Sequence, residues 1–249
     1  MGDAGPRTEP TSPVVLADVE PSARWRDVLA ASDRSPADRA LDAGRRPAEV
    51  FTFFGIDRGQ RVAELFAGTG YTTELLARAV GPTGVVYAQN NRFVLDRFAR
   101  EPLAKRLAGA ELANVIAVER ELDDPLPDSA RELDAVVFVL AYHDALWQGT
   151  DRVAMNRAVF EALRPGGVYG VIDHLAQDGR GEADAATLHR IDRSLLVEEI
   201  RSAGFRLDAE LSLLRRPDDA RDWNASPSAA GSRRGRSDRV VLRFVKPAR

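Results

Sequence analysis

Short apolar runs alternate with longer segments of helical periodicity along most of this chain. The runs are rich in Val, Ile, Leu and Phe, and they predict strands at residues 61–65, 85–88, 114–118, 133–140, 168–173, 205–213 and 239–245. Apolar positions at helical spacing predict intervening helices at residues 72–80, 92–107, 152–163 and 194–203. This alternation of strands and helices predicts a parallel sheet with helices on its faces.

Two features of the runs refine this prediction. Residues 133–140 are almost all apolar, as expected for a strand that is covered on both faces. The last two runs follow one another without an intervening helix, which indicates an antiparallel hairpin at the end of the chain. The predicted fold class is therefore α/β, a doubly wound Rossmann-like seven-stranded, mostly parallel sheet with an antiparallel terminal hairpin.

The residues outside the alternation divide into three segments. Pro, Gly, Thr and Ser dominate the start of the chain, so we expect residues 1–21 to be a disordered tail. Residues 22–56 have helical spacing, with Ser35 before a proline as a helix start, and predict an N-terminal helical extension. Residues 57–249 form the main domain, in which the Ser-, Arg-, Asp- and Gly-rich stretch 214–238 is expected to be a mobile loop.

Composition excludes several classes of function. The chain has no cysteine, which removes disulfides, thiolate catalysis and cysteine-ligated metal sites. Its formal net charge of −3 gives no reason to expect nucleic acid or a membrane surface as a partner. The start resembles no secretory signal, and no apolar run approaches the roughly 20 residues that span a bilayer. We therefore expect a cytoplasmic protein that acts on a small molecule, with its oligomeric state left open.

A glycine turn joins predicted strand 61–65 to predicted helix 72–80. It reads Glu64-Leu-Phe-Ala-Gly68-Thr-Gly70, and Thr73 stands where a dinucleotide-binding turn needs Gly or Ala. Its nearest flanks carry no Lys or Arg, and a carboxylate at Glu64 would repel a pyrophosphate. S-adenosylmethionine is cationic at its sulfonium and amino groups and carries no phosphate. The turn therefore favours S-adenosylmethionine over NAD or ATP.

Together with the strand order and the turn Leu163-Arg-Pro-Gly-Gly167, this glycine turn resembles the class I S-adenosylmethionine-dependent methyltransferases over residues 45–246. The segments Tyr142-His-Asp144, Leu188-His-Arg-Ile-Asp192 and Asp238-Arg-Val-Val are similar to a bacterial group of methyltransferases with no assigned substrate. The resemblance implies cofactor contacts at Glu64, Phe66, Ala67, Gly68, Gly70, Asn90 and Asp123. Within that set, Asn90 would lie at the ribose and Asp123 near the adenine.

The chain departs from the family pattern at two of these places. Phe66 stands where the family has a glycine, and Gln89-Asn90 stands where the family has the acid that pairs with the ribose hydroxyls. An amide can hydrogen-bond a diol but lacks the stronger charge-assisted bond of a carboxylate. We therefore expect modest cofactor affinity, which tightens when substrate binds or a lid closes.

The chain has three histidines, and two of them follow predicted strands. His143 comes after strand 133–140 and His174 after strand 168–173, so both are expected at the sheet edge that binds ligands. His189 lies in the helical segment that follows. A carboxylate lies close in sequence to each histidine, namely Asp144, Asp173 and Asp192.

Three roles for these groups stay open. The favoured one makes His143 and His174 acid–base or substrate-orienting groups, supported by Asp144 and Asp173, with His189 as a further catalytic candidate. The histidines could instead hydrogen-bond loop backbone. A third reading, which we do not favour, is a metal site, because His and Asp suit Zn, Fe or Mn.

The sequence thus predicts an S-adenosylmethionine-dependent methyltransferase with an unidentified small-molecule acceptor. Two alternatives stay open: a metal-dependent enzyme that uses a His/Asp site on the same fold, and a non-catalytic S-adenosylmethionine-binding protein. The arginines of stretch 214–238 and Arg239 are interpreted as a solvated segment offset by nearby aspartates. Alternatively, this stretch folds over an anionic substrate with Trp223, and Arg45 and Arg46 close the pocket from the N-terminal side.

Overall fold

The computed structural model describes residues 13–248, which form one sheet with helices on both faces. Its strands are β1 Val14–Leu16, β2 Arg61–Leu65, β3 Val85–Asn90, β4 Val115–Glu119, β5 Leu133–Val139, β6 Leu163–His174, β7 Arg206–Leu211 and β8 Arg239–Val245. They lie in the order β1-β7-β8-β6-β5-β2-β3-β4. Only β8 is antiparallel to its neighbours. The predicted doubly wound sheet with a terminal antiparallel hairpin is confirmed.

The additional strand, β1, lies inside the segment that we expected to be disordered, so the prediction of a tail over residues 1–21 is wrong for residues 14–16. These residues pair in parallel with residues 209–211 of β7. The physical reason is that β7 would otherwise present an edge of unpaired backbone N–H and C=O groups. Residues 1–12 lie outside the described part of the chain.

The helices are α1 Ala23–Ala30, α2 Pro36–Arg45, α3 Pro47–Phe53, α4 Tyr71–Val80, α5 Arg92–Val94, α6 Arg100–Leu107, α7 Tyr142–Trp147, α8 Arg152–Ala162, α9 Ala185–Leu188 and α10 Arg193–Ser202. A π-helical segment, Leu95–Ala99, joins α5 to α6, so the predicted helix 92–107 is divided. Pro102 lies in the first turn of α6, where a missing N–H is tolerated. None of the helices within residues 13–248 is long and apolar enough to cross a membrane.

The N-terminal helices pack against the flank of the main sheet. Ser22 and Ser35 cap α1 and α2 through their side chains, the latter just before the proline that begins α2. Trp25 is fully buried, stacks on Phe51 with ring centroids 5.0 Å apart, and donates its indole N–H to the carbonyl of Ile56. This packing joins α1 to α3, and Arg45 at the end of α2 lies 4.5 Å from the ring centroid of Tyr71, which follows the glycine turn.

The central strand β5 shows why this chain reads as near-continuous apolar runs. Val136 and Phe138 pack into the apolar cluster on one face of the sheet, whereas Ala135 and Val137 pack into the cluster on the other. A strand buried on both faces has no polar side to present. In the neighbouring strand β2, Glu64 is a buried charged residue among apolar ones, and it belongs to the candidate site.

The stretch 214–238 is held by hydrogen bonds and salt bridges. Trp223 donates its indole N–H to Asp219 over 2.7 Å, and the buried guanidinium of Arg190 lies 3.0 Å from the same carboxylate. Arg215 pairs with Asp238 at 2.9 Å. The segment expected to be solvated is therefore anchored near its two ends by the buried carboxylates of Asp219 and Asp238. Its mobility stays a prediction.

Candidate functional site

The carboxyl ends of β2, β3, β5 and β6 meet at one edge of the sheet because these strands are parallel neighbours. The glycine turn, residues 64–70, leaves the end of β2. His143 lies in α7, just after β5, and His174 is the last residue of β6. The predicted cofactor turn and two of the predicted catalytic histidines therefore share the edge at which open α/β sheets bind ligands.

The backbone of the glycine turn passes three times through the left-handed region. Phe66, Gly68 and Gly70 have φ of 53°, 57° and 89°. Phe66 thus adopts the conformation for which glycine is usual, which strains a residue with a side chain. Its N–H donates to the side-chain carbonyl of Gln89 over 3.0 Å, and its ring lies 5.9 Å from that of Phe138. These contacts hold the turn in shape without the family glycine.

Gly68 is held by the side chain that we predicted at the ribose. Its N–H donates to Oδ1 of Asn90 over 2.8 Å, and Nδ2 of Asn90 donates back to the Gly68 carbonyl over 3.1 Å. Asn90 is almost fully buried, and Ala67 donates its N–H to the backbone of the neighbouring Gln89. The observed role of Asn90 is thus to clamp the turn, and ribose contact would require it to release Gly68. The ribose assignment stays a prediction.

Glu64 lies beneath the turn and is also buried. Thr73, the residue that breaks the dinucleotide pattern, donates its hydroxyl to Glu64 over 2.6 Å. Burial raises the pKa of Glu64 to about 8, although the hydrogen bond from Thr73 and the charge of Arg45 act in the opposite direction. The carboxyl group inferred to attract a cationic ligand is therefore largely protonated at neutral pH until a positive charge approaches it.

Arginine from outside the turn reaches it, which the local sequence could not show. Arg106 of α6 donates to the carbonyl of Thr69 over 3.0 Å and pairs with Asp38 at 2.6 Å and, more closely, with Glu74. A Cβ on Gly70 would lie 2.9 Å from the Arg106 side chain. The turn is thus packed against α6, and glycine at position 70 permits that approach.

Asp123, predicted near the adenine, lies on an exposed loop after β4. Its carboxylate accepts a hydrogen bond from the N–H of Asp151, the cap of α8, over 2.8 Å. No hydrogen bond within residues 13–248 joins it to the glycine turn. Its role at the adenine stays a prediction.

His143 and Asp173 form a buried pair. Nδ1 of His143 lies 2.7 Å from Oδ1 of Asp173, and the His143 backbone N–H donates to Oδ2 over 2.8 Å. Burial alone would lower the pKa of His143, but the carboxylates of Asp173 and Asp144 outweigh it and raise the pKa. Donation from Nδ1 to Asp173 leaves Nε2 as the nitrogen that can exchange a proton.

Nε2 of His143 faces the second half of the network. It lies 3.2 Å from Nδ1 of His189, and both rings approach the carboxylate of Asp144 at 3.3–3.4 Å. Trp147, which sequence reasoning missed, donates its indole N–H to Asp144 over 2.7 Å. We call His143, Asp144, Asp173 and His189 the histidine network. Its geometry suits proton movement between a buried and a partly exposed imidazole.

The expected pairing by sequence proximity is wrong for His189. Asp192 caps α10 by accepting the N–H of Ser194 over 2.7 Å, and the carboxylate beside His189 is that of Asp144. His189 itself ends α9 in the left-handed conformation, with φ of 51°. The left-handed backbone of His189 therefore directs its own imidazole toward His143.

His174 stands apart from the histidine network. Its Nδ1 lies 2.6 Å from the hydroxyl of Ser237, and its backbone N–H, not its ring, contacts Asp173. Burial lowers the pKa of His174 well below its usual range, and the charges of His143 and Arg239 act in the same direction. Its ring lines a cleft of about 630 Å³ between α2 and stretch 214–238. His174 is therefore a neutral imidazole that faces a cavity of small-molecule size.

Tyr142 is packed inside the protein. It is fully buried, donates its hydroxyl to Glu199 over 2.8 Å and accepts from Asn156 over 2.7 Å. Both hydrogen-bonding functions of its hydroxyl are thus satisfied within the protein.

We compared the chain with known proteins. No family model matches the chain. The ubiquinone/menaquinone biosynthesis C-methyltransferase of Yersinia enterocolitica is 34% identical over 120 residues, which are 48% of this chain and 44% of that protein. The chain therefore spans less than half the length of the curated relatives it matches.

The solved structures establish the fold. A SAM-dependent methyltransferase from Aquifex aeolicus has a TM-score of 0.58 and 15% identity over 89% of this chain and 98% of that one. The cyclase SpnF has a TM-score of 0.56 and 18% identity over 86% of this chain and 82% of that one. The fold is that of the class I S-adenosylmethionine-dependent methyltransferases, as the sequence predicted, and the cyclase shows that this fold alone does not fix the reaction.

Proposed function

We propose that this protein is an S-adenosylmethionine-dependent methyltransferase with a small-molecule acceptor. The observation that carries the proposal is the glycine turn, with its left-handed Phe66, Gly68 and Gly70, above buried Glu64 at the ligand-binding edge of this fold. The matched relatives are named as C-methyltransferases, which agrees with the reaction class. A cytoplasmic location and the absence of a nucleic-acid partner stay predictions from composition.

The residues of the turn fit a cationic ligand without phosphate. Glu64 is the buried acid there, and it gains charge when a cation approaches. A Cβ on Gly68 would have only a carbonyl oxygen, 4.0 Å away, as its neighbour, so backbone is open to a ligand at that point. S-adenosylmethionine, when bound, supplies an electrophilic methyl group on its sulfonium sulfur.

His174 is the residue best placed to accept a proton from the acceptor. Its ring lines the cleft, its Nδ1 is engaged by Ser237, and within residues 13–248 its Nε2 has no hydrogen-bond partner. A neutral imidazole can accept the proton of an N–H or O–H group, which makes that group or a conjugated carbon a better nucleophile. The lowered pKa keeps His174 neutral at physiological pH.

The histidine network lies next to His174 and positions it. Asp173 accepts hydrogen bonds from the backbone N–H groups of both His143 and His174, so it fixes the two histidines relative to each other. The two ring centroids lie 5.9 Å apart. His143 and Asp173 are therefore positioning residues in this proposal, and His189 provides a partly exposed imidazole that exchanges protons with solvent.

A metal-dependent enzyme is the second candidate, and one observation favours it. His143, Asp144 and His189 offer three ligand atoms that lie within 4.8 Å of one another. Imidazole and carboxylate suit Zn, Fe or Mn, and three protein ligands leave a position for substrate. The same atoms hydrogen-bond to one another, so they have partners without an ion.

Calorimetric titration of the metal-analysed full chain with S-adenosylmethionine and S-adenosylhomocysteine tests the proposal. We expect micromolar binding of both, with weaker binding by Glu64→Gln and unchanged binding by Glu101→Gln, which alters an exposed glutamate of α6. Failure of the folded wild-type protein to bind either compound would contradict the proposal. Stoichiometric bound metal, with binding abolished by chelator, would favour the second candidate.

A further inference from the structure

The cleft beside His174 has an unusual charge. Arginines from two distant segments line it: Arg45 at the end of α2, and Arg216, Arg234, Arg236 and Arg239 from the other side. We call this cavity the arginine cleft. Its lining contains one acidic residue, Asp218, which is exposed at the surface. The chain as a whole has a net charge of −3, so this concentration of positive charge is local.

Within residues 13–248, nearby carboxylates form no salt bridge with the arginines that line the cleft. Asp238 lies 2.9 Å from both Arg215 and Arg221, and Asp219 lies 3.0 Å from Arg190. Among residues 13–248, none of the five guanidinium groups that line the cleft has a carboxylate oxygen within 4.0 Å, although the backbone N–H of Arg216 donates to Asp238 over 2.7 Å. Of the aspartates expected to offset the late arginines, Asp219 is thus engaged by Arg190, which lies outside the cleft, whereas Asp218 lines the cleft.

Arg239 carries the strongest part of the argument. It is the first residue of β8, opposite His174 in the sheet register, and only 1% of its surface is exposed. Its Nε has no hydrogen-bond partner in the described structure, and its Nη2 donates to the Gly235 carbonyl over 3.1 Å. A buried guanidinium without a counter-charge is costly, and hydrogen bonds to an anion would compensate it.

The arginine cleft adjoins the cofactor turn. The guanidinium of Arg45 lies 4.5 Å from the ring centroid of Tyr71, the first residue of α4, which directly follows Gly70. At the other wall, His174 brings the proposed proton acceptor into the same cavity. An acceptor held by its charge among the arginines would thus lie between the turn and His174.

We infer that the arginine cleft binds an anionic group of the methyl acceptor, so that the substrate is a small molecule that carries a carboxylate or a phosphate-type group. Planar guanidinium groups match both kinds of anion with paired hydrogen bonds. A cavity of about 630 Å³ has the size of sites that bind small organic molecules. This inference rests on the proposed function, because it names the substrate class of the same site.

Inorganic phosphate, titrated into the full chain at low ionic strength, tests the site itself. We expect saturable binding that Arg234→Gln and Arg236→Gln each weaken about tenfold, the effect of losing one hydrogen bond to a charged group. Arg233→Gln is the matched control, since it removes an exposed arginine of the same segment that does not line the cleft. Arg239→Gln should abolish binding, and the exposed variants keep the test valid if this buried variant does not fold.

Two results would overturn the inference at this stage. One is the absence of phosphate binding by the wild-type protein. The other is equal weakening by Arg233→Gln, which would indicate general attraction by the segment and not a site.

Titration of the same variants with S-adenosylhomocysteine identifies the source of the anion. Unchanged affinity in Arg234→Gln and Arg236→Gln supports an acceptor site. A parallel loss of affinity would assign the cleft to the carboxylate of the cofactor and would overturn the acceptor inference. Phosphate binding by a wild-type protein that does not bind S-adenosylhomocysteine would support the anion site while contradicting the proposed methyltransferase function.

Discussion

At the glycine turn, the residue types that indicate a ligand site lie close together in the chain, whereas the groups around the histidines come from distant positions. Thr73 lies nine positions from Glu64, which accepts its hydrogen bond. The hydrogen-bond partner of His143, Asp173, lies 30 positions away, and that of His174, Ser237, lies 63 positions away. The sequence pattern of the turn is local, although Asn90 and Arg106 also support it from farther along the chain. The histidine end is assembled by the order of strands in the sheet.

The two ends also differ in electrical balance. The turn has acids and arginines in close pairs, such as Arg106 with Asp38 at 2.6 Å. The arginine cleft has cations without such partners, among them buried Arg239. A buried cation without a counter-charge indicates a ligand of opposite charge. This contrast underlies the inference about the arginine cleft.

Among the changes that test the comparison of the two ends, Asp173→Ala is expected to have the largest effect on stability. This change removes the acceptor of three hydrogen bonds from His143 and His174 in a fully buried place. We expect the free energy of unfolding in urea to fall by about 3 kcal/mol. The pKa of His143, followed by imidazole NMR, should fall as well, because the carboxylates that raise it include Asp173.

Asp128→Ala, at a fully exposed aspartate, is the control for this stability measurement. A folded Asp173→Asn variant with wild-type stability and an unmoved His143 titration would contradict the assigned pairing.

The next effect concerns Glu64 and pH. The pKa of Glu64 is about 8 in the folded protein, above its ordinary value of 4.5, so the folded state binds this proton more tightly. Its contribution to stability is fully present below pH 4.5 and is lost as pH rises through 8. Glu64→Gln cannot lose a proton, so its stability relative to wild type should rise by roughly 3 kcal/mol from pH 4.5 to pH 7.

Urea unfolding of both proteins across that pH range provides the measurement, with Glu101→Gln as an exposed control. A constant difference between Glu64→Gln and wild type at every pH would mean that the carboxyl group titrates normally.

A smaller effect is expected from Asn90→Ala. The change removes both hydrogen bonds that hold Gly68, and we expect a loss of 1–2 kcal/mol of stability, on the order of one or two such bonds. Binding of S-adenosylhomocysteine, measured by calorimetry, should weaken because the turn loosens. Asn224→Ala removes an amide that bonds loop backbone elsewhere, and it should leave that binding intact. Equal binding by both variants would argue against the clamp.

The smallest effect is expected from metal removal. His143, Asp144 and His189 contact one another, so we expect treatment with EDTA to leave the melting temperature and the affinity for S-adenosylhomocysteine unchanged. A clear fall in the melting temperature, reversed by Zn²⁺ or Mn²⁺, would transfer these residues from a proton network to a metal site.

The sheet and the glycine turn were predictable because periodicity and turn chemistry are local signals. Strand β5 is apolar because both of its faces are buried, and Ser35 begins α2 because its side chain caps the helix. The short strand β1 was missed because three residues carry no periodicity. Only its pairing with β7, distant in sequence, makes it a strand.

The partners within the site were less predictable. The positions of His143 and His174 follow from the strand ends, but neighbours in sequence point in different directions, so Asp192 caps a helix while Asp144 approaches His189. Asn90 stands where the family has its ribose-binding acid, yet its side chain turns toward Gly68. Direction is set by packing, which a single sequence does not contain.

A crystal structure of the complex with S-adenosylhomocysteine tests the central claim, that the glycine turn and the arginine cleft are two halves of one site, most directly. We predict that the ligand lies along residues 64–70, with its amino group toward Glu64 and its sulfur facing the cleft lined by His174 and Arg239. A ligand bound away from the turn, or one whose sulfur faces away from His174, would contradict the account.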